Sequence, residues 1–485
     1  MQKMIDKYKN MPVHIRASFW FLVCAFLQKG ISVLTTPIFT RLLSTDEYGR
    51  FSVFNSWLSI LAVFVSMNLY SGVYVQGLVK FEDSKRQFSS AMQGLSLVLT
   101  IGWVIIYLLF RDFWNELLSL TTVQMISMFL LIWTTAVFQF WAVEQRVELK
   151  YQRLVVLTLV ASLAKPLLGI ALVVNAQDKV TARILGMVIV DVISYAWLFI
   201  IQVRRGKVVY SKSFWKYAFF FNLPLIPHYL SMSVLSGADR IMIGKMVGES
   251  EAGIYNLAYN ISLIMTIFNT ALMQTIEPWL YKKIKEQQVK DIAKIAYSTF
   301  ILIAVVNVGL MALAPEVISI FAPKSYYEAI YVIPPVVMSV YFMFAYSFFA
   351  VFEFYYEKTK LVMVATTTSA VLNILLNYIF INKFGYLAAG YTTLACYIMY
   401  AAFHYISMRK LCNERLDGEQ PYDLKILLTI SGCFVAIGFL LLLTYDTPVI
   451  RYVLLLIILI VIFARRRQII SIIRNMLTLK KQGDK

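Results

Sequence analysis

Long apolar runs separated by short polar loops are the feature of this sequence that most restricts its fold. Residues 154–174 and 426–443 are two such runs. Each is long enough to cross a hydrocarbon core of roughly 30 Å, which takes about 20 helical residues. Backbone polar groups in lipid must be paired within the segment, so these runs are predicted to be helices. The alternating pattern of a membrane β-barrel is not seen. The sequence therefore predicts an all-α polytopic membrane protein.

The composition supports the same class. Hydrophobic residues make up 60% of the chain and charged residues 15%, against about 45–50% and about 25% in soluble domains. Hydropathy predicts about fourteen transmembrane helices joined by short connections. These spans lie near residues 17–40, 51–76, 89–110, 119–142, 154–175, 183–203, 217–244, 253–279, 293–314, 328–352, 361–382, 387–408, 425–444 and 448–464. The first is too long for a signal-peptide core, so we predict that it stays as an uncleaved helix.

Lysine and arginine residues predict the orientation. The net charge is +18, and basic residues cluster in alternate loops, such as 80–86, 204–216 and 282–294. Cytoplasmic loops are enriched in these residues, so we predict that the N- and C-termini are both cytoplasmic. The basic tail, residues 465–485, is either an amphipathic helix on the anionic leaflet or the frayed end of a stop-transfer signal. Basic residues without interleaved aromatics do not indicate nucleic-acid binding.

A weak internal repeat divides the chain. Residues 41–51 resemble residues 245–255 without a gap, so that Glu47 aligns with Glu251 and Gly49 with Gly253. This offset predicts two parallel six-helix lobes, residues 1–210 and 211–410, followed by two additional helices and the basic tail in residues 411–485. Parallel repeats of this kind place a substrate cavity between the lobes.

Polar residues follow one face of the first span and of its repeat, the seventh. A polar stripe facing lipid is costly, so this face is expected to meet protein or water. We predict a substrate cavity; the alternative is helix packing through small polar residues. The substrate-binding candidates are Lys29, Ser32, Thr36, Arg41, Asn222, Ser233, Ser236 and Arg240.

Other ionisable residues lie within the spans. Lys165 and Asp191 are mid-span charges on the fifth and sixth spans, where they would form either a structural ion pair or part of a cavity. Asp191 and Asp239 are candidates for proton or sodium coupling. His228 is a third candidate, because histidine titrates near neutral pH. The alternative for His228 is a structural hydrogen bond beside the prolines that precede it.

Enzyme signatures are absent from the sequence. It contains no H-E-x-x-H, no phosphate-binding lysine loop and no G-x-S-x-G. The four cysteines lack metal-ligand spacing, so neither zinc nor a disulfide is indicated. We therefore expect no catalytic residue, no metal, no cofactor and no ATP drive within this chain.

Three stretches, residues 35–49, 222–255 and 372–390, carry a family resemblance. They include Asn222-Leu-Pro-Leu-Ile-Pro-His228 and Ala238-Asp-Arg-Ile-Met-Ile-Gly244. The chain resembles the Wzx-type polysaccharide flippases of the multidrug/oligosaccharidyl-lipid/polysaccharide (MOP) exporter superfamily. The resemblance implies a two-lobed bundle that flips undecaprenyl-pyrophosphate-linked oligosaccharides across the bacterial inner membrane by alternating access. Membrane lipids and other polysaccharide-assembly proteins are further candidate partners.

This resemblance assigns roles to the polar residues as hypotheses. Lys29, Arg41 and Arg240 would hold the pyrophosphate, and hydroxyl and amide groups would bind sugars. A MATE-like drug or cation antiporter would need an acidic cavity, which the basic residues disfavour. A membrane polysaccharide polymerase would need a large outer loop, and the loops are short. A lipid II-type flippase remains an alternative, and the glycan, whether O-antigen, capsule or exopolysaccharide, stays open.

Overall fold

The computed structural model describes residues 12–464, and over that range the chain forms helices and turns without a β-strand. This confirms the all-α polytopic fold class that the apolar runs predict. The basic tail at residues 465–485, with its two alternative interpretations, lies outside the described residues.

The chain divides into two compact units, Met1–Gly237 and Ala238–Lys485. Helices that begin in the first unit are α1 (Val13–Leu42), α2 (Thr45–Ser66), α3 (Gly72–Lys80), α4 (Lys85–Leu109), α5 (Arg111–Leu118), α6 (Thr122–Val147), α7 (Tyr151–Asn175), α8 (Lys179–Gly206), α9 (Lys212–Asn222) and α10 (Ile226–Met246). Helices of the second unit are α11 (Glu249–Ser262), α12 (Met265–Lys285), α13 (Ile292–Ala312), α14 (Ala314–Phe321), α15 (Ile333–Tyr355), α16 (Thr359–Phe384), α17 (Ala388–Arg415), α18 (Leu424–Leu442) and α19 (Pro448–Ala464). The domain boundaries expected at residues 210 and 410 stay predictions.

Within residues 12–464, 11 helical segments are long and apolar enough to cross a membrane. They are formed by α1, α2, α4, α6, α7, α8, α13, α15, α16, α18 and the segment Lys212–Met246, which contains α9 and α10. The three remaining predicted spans are also helical. Each falls short of the length and apolarity of a span for its own reason. Leu263 and Ile264 divide the eighth predicted span into α11 and α12. α17 contains more polar residues than the 11 segments, and α19 has only 17 residues.

The second predicted span, residues 51–76, is two helices with a turn between them. Ser44 Oγ accepts a hydrogen bond from the Glu47 N–H (3.1 Å), and the Ser44 N–H donates to Glu47 Oε2 (2.8 Å). This capping box begins α2 at Thr45. The helix ends at Ser66, because Met67 and Asn68 take left-handed backbone conformations.

The helix boundaries reproduce the sequence repeat at its first hairpin. α1 ends at Leu42 and α10 at Met246, while α2 begins at Thr45 and α11 at Glu249. Both pairs are 204 residues apart, as are Arg41 and Lys245 in the sequence alignment. The repeat is therefore also one of local structure.

Burial differs strongly between spans. In the most apolar 18-residue stretch of α15, 78% of the residues are buried, whereas in that of α1 only 11% are buried. Phe300 of α13 packs against the rings of Phe344 and Phe348 of α15, which makes α15 a central helix of the second unit. A polar side chain on α1 meets little protein, whereas one on α15 must find a partner inside the bundle.

Candidate functional site

Among the α1 candidates, Lys29, Ser32 and Arg41 are exposed and Thr36 is half-buried, and their hydrogen bonds are mainly within the helix. Lys29 is exposed and makes no hydrogen bond or ion pair with another residue in the range 12–464. The Ser32 carbonyl accepts a hydrogen bond from Thr36 Oγ1 at 2.8 Å. Arg41 donates through Nη1 to the Pro37 carbonyl at 2.8 Å, in the last turn, where a cation complements the helix dipole. Lys29 is thus the cation of this face with the greatest freedom to meet a ligand.

The hairpin formed by α1 and α2 is fixed to α8 by two basic residues. The Arg183 guanidinium lies 3.7 Å from the ring centroid of Phe39 and 3.6 Å from that of Phe51. Lys179 Nζ donates to the Leu42 carbonyl at 3.0 Å. These contacts give the stretch of residues 35–49 a structural role, because they hold the turn that begins α2.

A cavity of about 410 Å³ lies within the first unit, between α2, α6 and α10. One wall is the polar face of α2, with Asn55, Ser59 and Ser66, and Ser233 of α10 lies on another wall. Its lining contains amides and hydroxyls but no charged side chain. The lining residues are Asn55, Leu58, Ser59, Ala62, Val63, Ser66, Asn68, Tyr70, Leu131, Ile132, Thr135, Tyr229, Met232 and Ser233.

Sequence reasoning placed Ser233 at a site but missed the α2 wall. Asn55, Ser59 and Ser66 are spaced by 4 and 7 residues, which puts them on one helical face. That spacing could have identified the polar face of α2 from the sequence. The site can supply hydrogen-bond donors and acceptors to an uncharged polar ligand, since Asn55 Nδ2 bonds to the Phe51 carbonyl (2.9 Å) and its oxygen is left for another donor.

Asn222, Ser236 and His228 lie elsewhere in the first unit. Asn222 is buried, and its Nδ2 donates to the carbonyl of Met67 in the left-handed turn after α2. Ser236 Oγ donates to the Ser233 carbonyl at 3.0 Å. The imidazole of His228 is half-buried, 5.9 Å from the ring of Tyr229. The Asn222 amide therefore anchors a turn.

Arg240 is buried in the second unit, beside the neighbouring aspartate. Its exposure is 5%, and that of Asp239 is 1%. Arg240 Nη1 lies 3.4 Å from Asp239 Oδ1, and its guanidinium lies 3.8 Å from the Tyr259 ring centroid. The Tyr255 hydroxyl donates to Asp239 Oδ2 at 2.5 Å. The arrangement neutralises both charges inside the unit, so a ligand role for Arg240 requires the pair to open.

Lys165 and Asp191 form an ion pair between α7 and α8. Lys165 Nζ lies 2.7 Å from Asp191 Oδ1, with the lysine 30% exposed and the aspartate 2% exposed. The ammonium also lies 5.7 Å from the Tyr195 ring centroid. The structure brings the two residues together as a pair, and their role in coupling stays a prediction.

The second unit contains a fully buried pair that sequence reasoning missed. His404 Nδ1 of α17 lies 2.9 Å from Glu353 Oε2 of α15, and both side chains are 0% exposed. The rings of Tyr346 and Tyr400 pack on the imidazole at 5.4 and 4.5 Å. A titratable residue within an apolar run is the sequence signal for such a pair. Glu353 lies at the end of its apolar run, however, where a carboxylate is expected to reach the membrane interface.

The fold is shared with solved transporter structures. The chain aligns with the structure titled lipid II flippase MurJ, inward closed conformation, with a TM-score of 0.68 and 15% identity, covering 92% of this chain and 99% of that chain. It also aligns with an inward-facing multidrug resistance MATE family transporter of the MOP superfamily, with a TM-score of 0.58 and 14% identity. That alignment covers 80% of this chain and 95% of the transporter chain. The fold is therefore that of a multi-pass α-helical transporter.

Sequence comparison gives the family. The polysaccharide biosynthesis protein family matches residues 15–284, more than half of the chain, and the MatE family matches residues 224–379. An uncharacterized membrane protein of Haemophilus influenzae is 25% identical over 368 residues, which are 71% of this chain and 85% of the relative. The chain belongs to the polysaccharide biosynthesis protein family of the MOP exporter superfamily. The resemblance to Wzx-type flippases is thereby confirmed, and the protein is a multi-pass membrane transporter of the flippase type.

Proposed function

We propose that this protein flips undecaprenyl-pyrophosphate-linked oligosaccharide repeat units across the bacterial cytoplasmic membrane by alternating access. The units would supply surface polysaccharide biosynthesis, of the O-antigen, capsule or exopolysaccharide type. Both termini would be cytoplasmic, because alternate loops carry the basic residues.

The observation that carries this proposal is the uncharged polar cavity of the first unit. Its volume, about 410 Å³, is within the usual range of ligand sites, about 300–1,000 Å³. Asn55, Ser59 and Ser233 offer hydroxyl and amide groups, which suit the hydroxyls of a neutral sugar. A drug-cation antiporter would need a carboxylate in such a lining, and this cavity has none.

The anionic end of the substrate needs a cation, and Lys29 suits that role best. Its ammonium is exposed and unpaired over residues 12–464, on a helix that buries little of its surface. Arg41 is exposed as well and would add a planar donor. Arg240 would join them only after release from Asp239, so its part in pyrophosphate binding is the more demanding prediction.

The test alters the shape and the polar groups of the cavity without changing any charge. Ser59→Trp adds a bulky ring to the α2 wall of the cavity and reduces its volume. Asn55→Ala removes the amide group from the same wall. Both variants should lower surface glycan in a strain that lacks the native gene, while their membrane abundance stays normal. The same variants should slow translocation of a fluorescent lipid-linked oligosaccharide in proteoliposomes.

Thr429→Trp is the matched control. Thr429 is exposed on α18, bonds to the Lys425 carbonyl of its own helix at 2.8 Å and does not line the cavity. It should export glycan at the native level. Native export by Ser59→Trp at normal abundance would contradict the sugar role of this cavity.

A lipid II-type flippase is the alternative with the same chemistry, since its substrate also joins a pyrophosphate to sugars. Rescue of a strain depleted of its lipid II flippase would favour that alternative. Rescue of surface polysaccharide alone would favour the proposal.

Coupling to protons or sodium would pass through the buried carboxylates. Asp191 and Asp239 are each held by a cation, so that binding of H⁺ or Na⁺ would compete with Lys165 or Arg240. His228 is the third candidate, because a half-buried imidazole can change its protonation.

A further inference from the structure

Two adjoining cavities lie where the termini of three helices of the first unit meet. α6 ends and α7 begins at the same turn, and the end of α8 lies beside it. The cavities measure about 400 and about 410 Å³, and both are lined by Trp141, Gln152, Arg153 and Arg205. The first, here called the basic cavity, is also lined by Gln145, Leu149, Lys150 and Tyr151. The second, here called the apolar cavity, is also lined by Val156, Leu157, Val160, Trp197 and Ile201.

Within residues 12–464, the two arginines of this site have no counter-ion. Arg153 and Arg205 are exposed, and neither makes an ion pair or side-chain hydrogen bond within residues 12–464. Guanidinium groups that line the same cavities repel each other, and an anion bound beside them would remove that repulsion. The arrangement therefore favours a negatively charged ligand.

The nearest carboxylate in the sequence is already engaged. Glu148 lies 2.5 Å from Lys150 Nζ and 3.3 Å from Lys85 Nζ. Burial raises the pKa of Glu148, but hydrogen bonds and charge from Lys150 and Lys85 outweigh it and hold the pKa below its ordinary value. Glu148 stays ionised and paired with the two lysines, so it does not neutralise the arginines.

The basic cavity contains further donors for an anion. Gln145 is 4% exposed and lines the cavity, yet its side-chain amide bonds to no other residue of the described range. α7 begins here without a side-chain cap at Lys150. The first N–H groups of a helix lack partners within the helix and favour anions. A phosphate in this cavity would meet two guanidiniums, an amide and a helix N-terminus.

The apolar cavity continues from the same arginines along α7 and α8. Val156 is 63% exposed, Val160 55% and Trp197 45%, so this wall is open to the surroundings of the chain. In a spanning helix such side chains meet acyl chains, and tryptophan favours the membrane interface. The site as a whole is amphipathic, with a charged end at the helix termini and an apolar end toward the middle of the spans.

We propose that the two cavities together bind an anionic glycerophospholipid. Its phosphate would lie between Arg153 and Arg205 beside the Gln145 amide, and one acyl chain would fill the apolar cavity. Basic pockets between transmembrane helices on the cytoplasmic side recognise lipid head groups in this way. The charged residues that line the two cavities, Lys150, Arg153 and Arg205, are all cations, which favours an anionic head group over a neutral glycan. The site is separate from the sugar cavity and does not depend on the proposed function.

Lipid retention by the purified full chain tests this proposal. Native mass spectrometry after exchange into phosphatidylglycerol or phosphatidylcholine with the same acyl chains should show retained phosphatidylglycerol only. Arg153→Gln with Arg205→Gln should lower retention at least tenfold. The matched control is Arg146→Gln with Arg204→Gln, which removes the same charge from exposed arginines that line neither cavity, and it should retain the lipid.

Further arms separate the possible occupants. Val160→Trp changes no charge but fills the apolar cavity, and it should also lower retention. Equal retention of both lipids, or equal loss in the control pair, would overturn the site. Displacement of the lipid by an equimolar concentration of inorganic phosphate would show that the acyl chain adds nothing to binding, and would overturn its place in the apolar cavity. Preferential retention of undecaprenyl pyrophosphate over phosphatidylglycerol would replace the phospholipid with the substrate class.

Discussion

Separate removal of the two partners in the Lys165–Asp191 pair should have unequal effects. Lys165→Met leaves a carboxylate that is 2% exposed without its cation, whereas Asp191→Asn leaves a lysine that is 30% exposed. The lysine has a long flexible stem and can move its ammonium toward a more polar region. The carboxylate is short and held on α8. We therefore expect Lys165→Met to be the more damaging change.

The expected size follows from the geometry. Unit charges 2.7 Å apart attract by about 6 kcal/mol at an effective dielectric constant of about 20. The cost of desolvation reduces this figure, and breaking a buried pair typically costs about 3–5 kcal/mol. Since Lys165 is partly exposed, we expect about 3 kcal/mol for Lys165→Met and about 1–2 kcal/mol for Asp191→Asn. The double variant should recover much of the loss, because no unpaired charge remains.

Unfolding in mixed micelles with increasing SDS measures these differences. The exposed pair Arg50–Asp46 is a matched control, with atoms 2.9 Å apart and exposures of 51% and 52%. Asp46→Asn should change stability by less than about 1 kcal/mol. If Lys165→Met costs no more than this control, the reasoning about burial is refuted. Additive losses in the double variant would instead favour separate roles for the two residues in substrate and ion handling.

Four shorter predictions test orientation, charge and energy. A cysteine at Ser44 should react with an impermeant maleimide from outside, and one at Lys212 should not; labelling at Lys212 would reverse the orientation. Lys29→Ala should lower export roughly ten- to a hundredfold, by loss of a charge-assisted contact worth about 1.5–3 kcal/mol, while Lys29→Arg retains most of it. Glu353→Ala should destabilise the chain by about 1–3 kcal/mol on SDS titration, because it leaves a buried imidazole nitrogen without its partner, and Glu353→Gln by less, since the amide can still bond to His404. Directional flipping in proteoliposomes should stop when the membrane potential, worth about 2.3 kcal/mol per charge per 100 mV, is collapsed, and ATP should have no effect.

The helices were predictable because lipid leaves the backbone few alternatives. An apolar run of about 20 residues must pair its own N–H and C=O groups, so runs such as 154–174 indicate helices from length alone. Helix ends depend on local chemistry instead. Ser44 and Glu47 carry a capping box that can be read in the sequence, but the left-handed turn at Met67 has no comparable signal. Hydropathy therefore joins α2 to α3, and only the structure separates them.

The candidate site was predictable where a residue had few possible partners. Lys165 and Asp191 are lone charges in neighbouring apolar runs, so the cost of burying either one alone indicates the pair. Helical spacing gives the face of Arg240 but not what covers that face. The covering groups are an adjacent aspartate and the ring of Tyr259, which α11 brings back against α10. The same limit applies to Glu353 and His404, 51 residues apart, because their proximity depends on how α15 packs against α17. A charge in an apolar run thus reveals that a partner is needed, while the packing of the helices decides which residue supplies it.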